Sequence, residues 1–122
     1  MITAAVLLAG ALGAVARFVV DGVVNKRWPT PFPWATVIIN VTGSLILGIL
    51  LGCVMFHAAP SSLSAIAGTG FCGGYTTFST ASMDSVRLAK GRSVWLSVTN
   101  AFGSLVASVA ACALGAWLAW LL

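Results

Sequence analysis

Three groups of polar residues stand out in a chain that is 60% hydrophobic and only 7% charged. Thr36, Asn40 and Ser44 recur every four residues, as do Asn100, Ser104 and Ser108, so each set lies on one face of a helix. Between them runs GTGFCGGYTTFSTASMD, residues 68–84, with four glycines followed by threonines and serines. Amides and hydroxyls offer hydrogen-bond donors without fixed charge, a lining suited to a small desolvated ion or polar solute. Gly73-Gly74 ahead of Thr76-Thr77 weakens a helix. A helix interrupted in a membrane frees carbonyls for a cation and amides for an anion. The other use of such residues is helix-to-helix hydrogen bonding, worth about 0.6 kcal/mol per contact, and close glycine packing; Gly48 and Gly52 fit the latter.

The elements that must position these residues are membrane spans. A soluble domain carries about a quarter charged residues, and the mean hydropathy here is +1.06. Apolar windows of the ~20 residues needed to cross a bilayer run over residues 2–23, 34–56, 63–86 and 94–122. The expectation is an all-α membrane protein: one domain, 1–122, of four transmembrane helices, the third broken near residues 73–77. The start MITAAVLLAGALGA is like a signal-peptide core but has no basic leading segment, so it reads as the first span. No connection is long enough for a second domain.

The first connection, around Asn25 to Pro31, is prolyl and basic; the second, His57 to Ser62, has no Lys or Arg; the third holds Arg87, Lys90, Gly91 and Arg92. Connections one and three share a side and carry Lys26, Arg27, Arg87, Lys90 and Arg92, with Arg17 near that end of the first span. The positive-inside rule places them in the cytoplasm of a cell-membrane protein, in contact with lipid headgroups. No basic patch suits nucleic acid. Cys53, Cys72 and Cys112 are single packing residues without metal or disulfide spacing. The lone His57 has no nucleophile or carboxylate pair beside it, so an enzyme is not indicated.

Three segments carry a family resemblance. AGALGAVARF (9–18) resembles the GGxxGAxxR-aromatic element of the Fluc (CrcB) fluoride channels. ATVIINVTGSLILG (35–48) resembles their GTLxxNxxGSxxxG element, and GFCGGYTTFST (70–80) their GxCGGxTTFST signature. The resemblance implies an antiparallel dimer with two pores that exports fluoride passively. On this chain it implies Asn40 as a pore-facing amide donor, Phe78 as an aromatic edge on the fluoride path and Ser104 and Ser108 as a polar track. Thr77 and Ser79 would supply further hydroxyls, and Arg17 would stand at the vestibule. A structural Na+ would be held by the backbone carbonyls of Gly73 and Thr76 from both subunits.

Four positions depart from that pattern. The second signature phenylalanine is Ala81, a Tyr common on the fourth helix is Asn100, and the leading glycines of two motifs are Ala9 and Ala35. Ala81 matters most, because each pore of the family is lined by rings from both subunits. The partner would be a second copy or an oppositely oriented homologous chain, the latter favoured by the one-sided basic residues. Two other readings are a small proton-coupled exporter and a weakly conducting assembly subunit of a heterodimeric channel. An exporter needs a membrane-embedded carboxylate, and the chain has no Glu, only Asp21 and Asp84 near span ends.

Overall fold

In the computed structural model, which describes residues 1–122, the chain is helical throughout, with three helices long and apolar enough to cross a membrane. These are α1 (Ile2–Arg27), α2 (Trp34–Phe56) and α5 (Val94–Leu121). The third crossing is in two pieces, α3 (residues 61–75) and α4 (Phe78–Gly91).

The helix ends differ from the hydropathy windows for local reasons. α1 continues past Val23 through Asn25, Lys26 and Arg27, which the sequence had assigned to a connection. Cations in a last helical turn complement the macrodipole, and the helix stops at Trp28, the residue before Pro29, where α geometry is disfavoured. α2 has the predicted bounds, entered from Pro33. The second connection shrinks to residues 57–60, because Ser61 is already helical. The third shrinks to Arg92 and Ser93: Arg87, Lys90 and Gly91 close α4, and Ser93 Oγ caps α5 by accepting the Trp95 N–H at 3.1 Å.

Only 16 of 122 residues are buried, so apolar side chains point outward nearly all round, as lipid allows. The exposed tryptophans mark two levels. Trp28, Trp34 and Trp95 sit at the basic end, Trp117 and Trp120 at the other. From Trp95 to Trp117 along α5 is about 33 Å at 1.5 Å per residue, close to a bilayer's hydrocarbon core. Trp and Tyr favour such interfaces.

Small residues bring the helices together. α2 and α5 run parallel: a Cβ at Gly48 would strike the Cys112 carbonyl, and one at Gly115 the Leu45 carbonyl. His57 Nε2 lies 2.6 Å from the Ala119 oxygen and joins the far ends of the two helices. α1 and α3 are likewise parallel, with Gly74 against the Gly10 carbonyl.

Within α3, Ser64–Cys72 is a π-helix, a rare i→i+5 form that recurs at functional sites. Small residues at 65, 67, 68 and 70 leave room for its wider turn beside α1, where a Cβ on Gly70 would come within 2.8 Å of the Val6 oxygen. The glycines of this segment are therefore mainly packing residues. No glycine in the chain has a positive φ, and helical geometry persists through Tyr75. The break is made instead by Thr76 and Thr77, both extended (ψ 161° and 124°).

Candidate functional site

α3 ends because Thr76 turns back on it: its N–H and its Oγ1 both donate to the Cys72 carbonyl, at 2.9 and 2.8 Å. The next peptide is caught by α2. Thr77 N–H donates to Asn40 Oδ1 at 2.8 Å, and Asn40 Nδ2 donates to the Thr77 carbonyl at 2.9 Å. One amide side chain thus satisfies both polar groups of the broken backbone, and one Nδ2–H is left over. Thr77 Oγ1 then caps α4 by accepting the Thr80 N–H at 3.2 Å. The Thr76 carbonyl accepts no hydrogen bond from the chain. Tyr75 steadies the break from the other side: its ring stacks on Phe71 at 5.9 Å, and its hydroxyl lies 3.0 Å from Thr42 Oγ1. Gly43 makes this possible, because a Cβ there would strike Thr76 Cγ2.

Beside the break lies a cleft of about 620 Å³. Of the residues singled out in the sequence, Asn40, Thr77, Phe78, Ser104, Ser108, Gly73 and Thr76 all line it, together with Ser44 and Ala81. No Lys, Arg, Asp or Glu does. Phe78 is 88% exposed, so its ring stands off the subunit's surface; Ala81, one turn on, adds no second ring. Gly73 is also exposed, with nothing within 4 Å of where a Cβ would be.

Two expected members are elsewhere. Ser79 follows Phe78 by about 100° around α4 and is outside the cleft, and Arg17 lines neither of the two principal cavities. Asn100 shares a face with Ser104 but is buried against α4, where Nδ2 donates to Ser85 Oγ at 2.9 Å.

A second cavity, about 460 Å³, opens on the other face of α4 at the basic end, lined by Asp21, Thr36, Thr80, Asp84, Arg87 and Arg92 among others. Thr36 Oγ1 donates to Asp84 Oδ2 at 2.8 Å, and Arg87 stands 4.0 Å from Asp84 Oδ1. Sequence reasoning missed this pairing. The available signal was that Thr36 lies one turn before Asn40 on the stripe that meets the broken third crossing.

The family model described as CrcB-like protein, Camphor Resistance (CrcB) matches residues 4–116. The chain belongs to the CrcB-like family. Among its relatives, a protein of Leifsonia xyli subsp. xyli named fluoride-specific ion channel FluC 1 is 48% identical over 118 residues, 97% of this chain and 86% of that one. One of Cutibacterium acnes named fluoride-specific ion channel FluC 2 is 46% identical over 111 residues, 90% of each chain. A third, of Mycobacterium bovis and also named fluoride-specific ion channel FluC 2, is 41% identical over 114 residues, covering 93% of this CrcB-like chain and 87% of the relative.

Proposed function

We propose that this chain is one subunit of a fluoride channel that lets fluoride leave the cell passively and so relieves its toxicity. The observation that carries the reading is the cleft: membrane-embedded, lined by uncharged donors, and bordered by an exposed phenylalanine. Fluoride is small and strongly hydrated, so a pore must replace its water with donors. The spare Asn40 N–H, the hydroxyls of Ser44, Ser104 and Ser108 and the positive edge of the Phe78 ring are of that kind. None is a fixed cation, so each holds the ion weakly enough to release it to the next.

The break also suits a structural sodium ion. An unpaired carbonyl in hydrocarbon costs several kcal/mol, and the Thr76 carbonyl is free beside an exposed Gly73. Carbonyl oxygens are the ligands unwound membrane helices use for sodium. Gly73 and Thr76 carbonyls from two subunits would hold it, and its charge would make the neighbouring path favourable to an anion.

The exposed Phe78 and Gly73 suit a dimer face, and the partner's aromatic ring would complete the wall that Ala81 leaves open. The basic residues gather at one end, which faces the cytoplasm in this reading. Such a bias favours one insertion direction, so the antiparallel partner is an oppositely oriented homologous chain rather than a second copy.

Liposomes loaded with fluoride and carrying the purified protein together with an oppositely oriented homologue test the reading with a fluoride electrode. Release without a proton gradient, with chloride retained, is the expected result. Release only when protons are driven the other way would indicate an exporter, with Asp84 its candidate carboxylate.

A further inference from the structure

The two carbonyls of this chain that suit sodium are free because the amides near them are drawn elsewhere. Thr76 N–H turns back to the Cys72 carbonyl at 2.9 Å, and Thr77 N–H goes to Asn40 Oδ1 at 2.8 Å. Neither serves the Gly73 carbonyl, which accepts no hydrogen bond from the chain, and the Thr76 carbonyl accepts none either. A carbonyl holds an ion well only where the groups around it fix its direction, and a supporting shell loose by about 1 Å leaves a site ineffective. Asn40 fixes the residue after Thr76. Tyr75 stands before it.

Tyr75 is buried, and its hydroxyl lies 3.0 Å from Thr42 Oγ1. Thr42 uses its one hydroxyl proton on the Ile38 carbonyl at 2.7 Å, so the tyrosine donates and the threonine accepts. Thr42 and Asn40 are two residues apart on α2, about 200° around it. The break therefore straddles α2, with one fastening on each side. Gly43 lies between the two, where a Cβ would strike Thr76 Cγ2 and crowd the Tyr75 ring. In GFCGGYTTFST the tyrosine fills a position that the signature GxCGGxTTFST leaves open. We propose that the Tyr75 hydroxyl, through Thr42, is a positioning group for the sodium ion. It anchors the residue before the break as Asn40 anchors the residue after it, so that the Thr76 carbonyl between them keeps one direction. Tyr75 acts through the backbone and does not touch the ion. This rests on the sodium reading given above.

The test uses the full chain purified together with an oppositely oriented homologue. Its melting temperature is followed as sodium chloride replaces potassium chloride at constant ionic strength. An ion that binds only the folded protein raises that temperature with its concentration. In Tyr75→Phe the rise should set in at about two- to tenfold more sodium than in the wild type, the factor one hydrogen bond carries. A residue that only packs would lower the melting temperature at every sodium concentration and leave the onset in place. Thr42→Val, which removes the acceptor, should shift the onset as Tyr75→Phe does, and Thr42→Ser, which keeps it, should not. Adding Thr42→Val to Tyr75→Phe should give little further shift, because both remove one bond. A wild-type onset in Tyr75→Phe, or full addition of the two shifts, overturns the proposal. A wild type indifferent to sodium refutes the sodium reading and the positioning with it, while fluoride release from the same preparation still judges the channel. Should Tyr75→Phe fail to fold, Thr42→Val beside Thr42→Ser decides.

Discussion

Replacing Asn40 separates its work on the backbone from its work on the ion. In Asn40→Ala the Thr77 N–H and carbonyl both lose their partners, at 2.8 and 2.9 Å. Each unsatisfied buried group costs about 1–3 kcal/mol, which gives about 2–6 kcal/mol for the pair. The lower part of that range applies, because the two groups border a cleft of about 620 Å³ that water can enter. A loss of about 2–3 kcal/mol is therefore expected, read as a shifted midpoint in denaturant-induced unfolding in detergent. Asn40→Asp is the informative companion. Its carboxylate still accepts the Thr77 N–H but faces the Thr77 carbonyl oxygen without a proton between them, and it places a negative charge on the proposed anion path. Fluoride efflux should then fall further than stability accounts for. Both variants unfolding and conducting like the wild type would refute the claim that this amide fastens the break and lines the pore.

Three further outcomes follow from the same geometry. Phe78→Ile should express and fold normally, since the ring is 88% exposed in the subunit, yet lose most fluoride efflux; unchanged efflux removes Phe78 from the path. Gly74→Ala should be destabilising by about 1–3 kcal/mol, the usual cost of overpacking, because its Cβ would strike the Gly10 carbonyl, whereas Gly73→Ala meets nothing within the subunit and should unfold like the wild type; equal unfolding midpoints would contradict the packing. The chain expressed alone should insert mainly one way, with the basic end cytoplasmic, as cysteine accessibility of the termini can measure; equal populations in both directions would favour the homodimer.

The sequence made the spans and the site legible to different degrees. α2 is bounded as its hydropathy predicts because prolines flank both connections, whereas α1 and α4 run on through charged residues, since cations stabilise a helix's last turn as well as a loop. The interruption of the third crossing is legible at residues 73–77, where the sequence points to the glycines and threonines together. Gly70 and Gly74 prove to be contact surfaces for α1, and the threonines, with hydroxyls that compete for backbone partners, end the helix. The π-helix has no spacing signature in composition. Helical periodicity brought Asn40, Ser44, Ser104 and Ser108 to one cleft. It could not place Asn100 or Ser79, whose sides are decided by how α4 packs. Nor could it reveal that Thr36 meets Asp84, 48 residues away.

The most direct test of the channel reading is the reversal potential of single channels in a planar bilayer, with the chain reconstituted alone and together with an oppositely oriented homologue. Under a tenfold fluoride gradient the reading predicts reversal at the fluoride equilibrium value, about 59 mV for one charge, unmoved by a pH or chloride gradient. Reversal that follows protons or chloride, or silent membranes in both preparations, would contradict it.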